Sequence, residues 1–158
     1  MLQCTIRGIP GIHCTIMEQT IFSKIISREI PAEIVYENEH VLAFLDIRPN
    51  NPGHTLVIPK RSSVNVLDVD SAAWAEVMEA VRILAPTIRD AVHADGINIM
   101  MNNGSVAGQI VMHTHVHIIP RHTGDGYEHW HGQAYADGEM ARVGANIRET
   151  LARTQHTT

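Results

Sequence analysis

Apolar residues along this chain follow two periods, and the switches between them mark out its elements. Phe22-Ser23-Lys24-Ile25-Ile26 predicts a short helix, with Thr20 or Ser23 as its cap and Pro31 as its stop. Ile34–Glu37 and Val41–Leu45 predict two strands joined through Asn38-Glu39. Asp46–Gly53 gathers prolines, asparagines and a glycine and is a loop. Thr55–Pro59 is the next strand. Trp74, Val77, Met78, Val81, Leu84, Ala85 and Ile88 then recur at helical spacing, predicting a helix over Ser71–Val92. Pro86 lies inside that pattern and predicts a kink or break. An Asp95-Gly96 turn leads to strands over Ile97–Met101 and Met112–Ile119, separated by the polar loop Asn102–Gln109. Met140, Val143, Ile147 and Leu151 predict a closing amphipathic helix. Helix, strands, long helix, strands, helix is the order of an α+β fold with a mainly antiparallel sheet.

The chemistry concentrates in the last of those strands. His113-Thr114-His115-Val116-His117 places imidazoles at i, i+2 and i+4. On a strand all three share one face, with successive Cα atoms roughly 6.5–7 Å apart. Imidazole serves as nucleophile, base, acid or ligand near neutral pH. Three on one face make a poor core and a good site. The preceding loop has glycines at 104 and 108, where the backbone can turn sharply and approach a ligand. Consecutive amides in such a turn form an anion nest, and a phosphate held there would lie within reach of His115. A nucleophile, an anion cradle and a proton source together suit a phosphoryl centre. Two other readings stand beside this one. The three histidines could ligate a metal, although the first and third would lie about 13 Å apart at Cα on a flat strand. They could also be structural.

His54 follows Pro52-Gly53 at the start of a strand, where its ring could point into a cleft. His13, His40, His93, His122, His129, His131 and His156 read as surface or packing positions. Asp46 follows an apolar strand, where its carboxylate suits two hydroxyl donors or the capping of an Asx turn. Phe22 and Ile25 share a helical face, as a pocket wall or as ordinary core.

At 158 residues, 44% hydrophobic and 18% charged, the chain has the size and composition of a globular domain. A net charge of −5 leaves no basic field for a nucleic acid polymer, while a single nucleotide remains open. No apolar run suits a membrane span. Residues 1–19 read as an extension ahead of a domain over 20–121, with Met17 a candidate start and 122–158 a tail. The extension lacks an export signal, so the expected compartment is the cytoplasm. Cys4 and Cys14 there read as free thiols.

His113-Thr-His115-Val-His117-Ile-Ile resembles the signature of the HIT (histidine triad) family. Ile21–Ile26, Glu29–Ala32, Ala43–Ile47, Pro52–Lys60 and Asn102–Gln109 are similar to its Hint-like branch. The resemblance covers Ile21 to Arg121, about two-thirds of the chain. It implies a HIT-like fold and a nucleotide hydrolase or transferase working through a nucleotidyl-histidine. In that family pattern His115 attacks the α-phosphorus, His117 stabilises the phosphate oxygens, and His113 and His54 form a supporting relay. Asn102, Gly108, Gln109 and the backbone of Ile110 match positions around the phosphate and leaving group. Asp46 matches the ribose ligand, and Phe22, Ile25, Ile47 and Leu56 match the wall of the base pocket. The resemblance further implies a purine nucleotide of AMP or GMP type, a phosphoramidase-like activity with dinucleoside polyphosphates as the alternative, and a homodimer formed through the long helix and a strand. A non-catalytic nucleotide-binding regulatory module is the reading from outside the enzymes.

Three departures are visible. Thr20 and Ser23 stand where some relatives carry a zinc-binding Cys pair, so no such zinc and no cofactor are expected. Ile110 stands where several relatives have Ser or Thr. The tail, with Tyr127 and His129-Trp130-His131, does not match the short Hint ending; in relatives the tail helps to set substrate choice.

Overall fold

A computed structural model describes residues 19–155. The expected extension, its two cysteines and Met17 therefore lie outside the described residues, as do His13 and His156. The chain divides into two compact units at Asp125/Gly126.

The first unit is a five-stranded antiparallel sheet in the order β1-β2-β3-β5-β4. Its elements are α1 (Ile21–Ile26), β1 (Ile34–Glu37), β2 (Val41–Leu45), β3 (Thr55–Pro59), α2 (Ser71–Ala91), β4 (Gly96–Met100) and β5 (Val116–Arg121). The α+β class expected from the sequence is the class observed. Thr20 caps α1, its hydroxyl accepting from the Ser23 amide, which satisfies one of the end's orphan donors.

Strand alternation divides the core in two. Val41, Ala43, Val57, Val116 and Ile118 turn to one face and pack against Val77, Ala80, Val81, Leu84 and Ile88 of α2. Leu42, Phe44, Leu56 and Ile58 turn to the other and pack against Phe22 and Ile25 of α1. His117 pairs with Leu56 across the sheet, so its ring belongs to the α1 face. His54, two residues before Leu56, has the same parity.

Three expectations need correction. The histidine strand does not begin at Met112: β5 starts only at Val116. Its register against β3 runs Val57↔Val116, Leu56↔His117 and Thr55↔Ile118. Extended, that register would place Pro59 opposite Thr114, and proline has no N–H for the ladder. Side chains and a neighbouring segment hold residues 113–115 instead. The Thr114 amide donates to the Ser63 carbonyl at 2.8 Å, and the Ser63 and Thr114 hydroxyls pair at 2.7 Å. Pro86 does not break α2, which runs through it as one helix. The proline sits on the exposed side, where the carbonyl it leaves unbonded can turn to water. Gly96 belongs to β4 rather than to the turn before it.

The second unit contains α3 (Glu139–Gln155), the amphipathic helix expected around Met140, Val143, Ile147 and Leu151. No helix among the described residues is long and apolar enough to cross a membrane.

Candidate active site

Four imidazoles meet on the α1 face. The His115 and His117 ring centres are 4.9 Å apart, and those of His117 and His54 are 5.1 Å apart. Phe22 stands edge-on to His115 at 5.2 Å and to His113 at 6.0 Å. The structure thus brings the three triad histidines together with His54, although only His117 lies in a strand.

The hydrogen-bond partners fix each ring's tautomer. His115 Nδ1 lies 2.6 Å from the His113 carbonyl oxygen. A carbonyl only accepts, so Nδ1 carries the proton and Nε2 keeps a lone pair. The Asn50 amide donates to His54 Nδ1 at 3.2 Å, which leaves the His54 proton on Nε2. That Nε2–H faces His117 Nδ1 at 2.9 Å, so His117 accepts there and carries its own proton on Nε2. His113 Nε2 donates to the Pro59 carbonyl at 2.9 Å, and its Nδ1 faces the Thr20 hydroxyl at 3.4 Å. His113 is thus engaged at both nitrogens and acts as a strut, presenting its own carbonyl to His115. The result is one ring with an open lone pair, His115, beside one with an open N–H, His117.

Burial pushes the pKa of all four rings below the ordinary imidazole value of 6.5. For His117, burial and the neighbouring His115 and His54 bring it down to about 4, against an upward pull from Asp46. The cluster is therefore neutral at pH 7, as the tautomer chain requires. A pH dependence follows. The unfolded chain takes up protons at these positions before the native one does, so native stability declines as pH falls from 6.5 toward about 4. If the His115 lone pair takes part in catalysis, the acid limb of kcat/KM should likewise lie below 6.5, because burial holds His115 unprotonated to lower pH than a free imidazole. A rate profile halved at 6.5 or above would contradict this.

Of the two readings the sequence left open for Asp46, the structure shows the Asx turn. Its Oδ1 accepts from the Arg48 amide at 2.8 Å, an Asx turn, while Oδ2 lies 3.8 Å from His54 Nδ1. Phe22, Ile25 and Leu56 are buried in one cluster, whereas Ile47 is 85% exposed and lies outside that cluster.

The glycine loop turns four of its amides on itself. Gly104 and Gly108 take φ of +86° and +87° around a short 3-10 turn, Ser105–Ala107. The amides of Ala107 and Gln109 donate to the Gly104 carbonyl, and that of Gly108 to Ser105. The Gly104 amide donates to the Gln109 side chain. Those four amides are spent inside the loop. Ile110, after the last of them, has no acceptor for its amide among the described residues, and its side chain is 91% exposed. Asn102 donates to the Gly108 carbonyl at 3.4 Å.

Asp46, His54 and His117 each offer a ligand atom, all within 4.8 Å of one another. This is not the three-histidine set weighed from the sequence, since both His113 nitrogens are engaged. A cation on His54 Nε2 or His117 Nδ1 would have to displace the bond between them. Sequence reasoning missed Asn50, whose contribution is a backbone amide and carries no residue signal. It also missed Ser63, whose pairing with Thr114 depends on long-range contact.

A family model described as the HIT domain matches residues 27–124. Protein hit of Bacillus subtilis is 43% identical over 89% of this chain and 99% of its own. The adenylylsulfatase HINT3 of Arabidopsis thaliana is 36% identical over 68% of this chain and 54% of its own. A crystal structure of a HIT family member from Bacillus subtilis superposes with a TM-score of 0.77 at 42% identity, covering 84% of this chain and 96% of that one. The triad, its strand register and these similarities agree: the chain belongs to the HIT family.

Proposed function

We propose that the protein is a nucleotide hydrolase or transferase that moves a nucleotidyl group through a covalent bond to His115, with nucleoside 5′-phosphoramidates as favoured substrates. The observation that carries the reading is the complementary pair of ring nitrogens: the His115 Nε2 lone pair, held by the 2.6 Å bond on its far nitrogen, beside the His117 N–H, held by His54. Nε2 attacks the α-phosphorus, the bond from phosphorus to the leaving amine breaks, and the amine departs with a proton taken up from solvent, since the neutral rings have none to spare. His117 is the side chain placed to donate toward the phosphoryl oxygens and the departing group. Water then attacks the same phosphorus, the bond to His115 breaks, the water's proton passes to solvent, and the nucleoside monophosphate leaves with the neutral ring restored. The unspent Ile110 amide suits a phosphoryl oxygen. Asp46 Oδ2 suits the ribose hydroxyls, and Phe22, Ile25 and Leu56 suit a purine of AMP or GMP type.

The adenylylsulfatase among the relatives, and an isoleucine rather than a hydroxyl at position 110, favour a second reading in which the leaving group is not an amine. The site as proposed works without a metal or cofactor. A homodimer fits the sheet, because β4 is an edge strand and Ile99, Met78 and Ile83 are exposed on β4 and α2. The test is hydrolysis of adenosine 5′-phosphoramidate followed by chromatography. AMP should appear at equal rates with and without EDTA, from a species sedimenting at twice 17.5 kDa. Release from adenylyl sulfate alone would select the second reading. AMP binding with no release from either, or from dinucleoside polyphosphates, would make the protein a binding module. A rate abolished by EDTA would sink the metal-free mechanism, and a monomer the dimer.

A further inference from the structure

The side chain of Gln109 matches a family position beside the phosphate and leaving group, yet its geometry assigns it elsewhere. It is 3% exposed. Nε2 donates to the Val64 carbonyl at 2.6 Å and to the Val111 carbonyl at 3.0 Å. Oε1 accepts from the Gly104 amide at 2.8 Å and from Asn65 Nδ2 at 3.3 Å. A primary amide has two N–H donors and an oxygen with two lone pairs. All four capacities are filled, and the neighbours identify which end is nitrogen, since two are carbonyls and two are donors.

We propose that Gln109 is a positioning residue, a clasp that fixes the loop 104–111 to the segment 64–65 and so sets the place of the Ile110 amide and of the triad approach, without touching substrate. The clasp is the upper half of a seam. Its lower half is the bond from the Thr114 amide to the Ser63 carbonyl with the Ser63–Thr114 hydroxyl pair. Together they do for residues 109–114 what strand pairing does from Val116 onward. The far side of the seam is itself fixed: Asp68 accepts from the Val64 and Asn65 amides, the Leu67 amide holds Asn65 Oδ1, and the Val66 amide donates to Asn103 at 3.0 Å. A loop anchored at both ends loses its geometry when the anchor is cut, and reacting groups misplaced by about 1 Å cost on the order of 100-fold in rate.

This inference rests on the phosphoryl-transfer reading above, and the experiment separates the two. Gln109→Glu keeps the shape but removes both donors. Asn65→Ala cuts one strand of the clasp on the side away from the triad. Each is assayed with two adenosine phosphoramidates that differ only in the amine, one unsubstituted and one alkylated. A clasp predicts that Gln109→Glu lowers kcat by about 10- to 100-fold, by the same factor for both amines and with KM little changed. Asn65→Ala should produce a smaller loss of the same kind. A direct ligand predicts a loss that differs between the amines, or one that falls on KM, and an unaffected Asn65→Ala; that pattern overturns the proposal. Should Gln109→Glu fail to fold, Asn65→Ala with both amines decides alone. Absence of wild-type turnover on every nucleotidyl substrate overturns the functional reading and the clasp's catalytic role with it, whereas active wild type with amine-dependent losses overturns the clasp only.

Discussion

Replacing His115 with alanine should lower turnover of a nucleoside phosphoramidate by at least about 10⁴-fold, the scale seen when a covalent nucleophile is removed, while AMP affinity changes little. The reason is the division of labour in the site. In the proposed mechanism, chemistry requires the one lone pair that points away from the His113 carbonyl. Binding, in the proposed arrangement, is shared among Asp46, the α1-face apolar residues and the loop backbone, none of which needs that ring. His115 does pack edge-on against Phe22, so the truncation also costs some stability. The assay therefore belongs well below the unfolding midpoint, with folding checked by circular dichroism. Retained turnover in a folded His115→Ala protein would remove the covalent mechanism. Parallel loss of AMP binding would mean the ring holds substrate rather than attacks it.

Gly53→Ala should be the most damaging glycine-to-alanine change among the described residues of the first unit. The Asn51 carbonyl accepts from the His54 amide at 3.0 Å, closing a turn with Pro52 at its second position and Gly53 at its third. Gly53 has φ of +87°, the positive value that third position of a type II turn demands. An added Cβ would lie 2.9 Å from Val92 Cγ1 and 3.3 Å from Pro120 Cγ. Neither neighbour yields readily, one being β-branched and the other a ring inside β5. Backbone strain and overpacking together cost about 2–4 kcal/mol, a fall in Tm on the order of 10 °C. Gly124 is the control, with φ of +80° and nothing within 4 Å of where an added methyl would sit; alanine there carries the backbone cost alone. Equal Tm losses at the two positions would refute the packing half of the account. Because Gly53 precedes His54, a folded Gly53→Ala protein should also lose turnover through the displaced relay.

These sites differ in how far the sequence foretells them. The bounds of β1 follow from its alternating burial, those of β2 and β3 from short apolar runs between turn residues, and those of α2 from apolar spacing, because each element's burial is one-sided or complete. The histidine run is where periodicity misleads. Its alternation is that of a strand, and parity does carry His117 to the α1 face, but Pro59, on another element, withholds the ladder from residues 113–115. Pro86 misleads in the opposite sense, since the penalty for a proline depends on which side of the helix the freed carbonyl faces. The cluster of His54 with the triad was legible through family resemblance rather than through local pattern, as 63 residues separate His54 from His117. The role of Gln109 was legible from neither, because the groups that saturate it are loop backbone and Asn65, and a loop glutamine gives no sign of burial.

The central claim is that His115 Nε2 becomes covalently nucleotidylated. It is tested most directly by mixing enzyme with adenosine 5′-phosphoramidate, quenching within a single turnover and measuring the intact mass, with the modified peptide then sequenced. The account predicts a transient adenylyl adduct on His115, absent in His115→Ala and gone once substrate is exhausted. Full turnover with no adduct at any quench time, or an adduct on another residue, would contradict it.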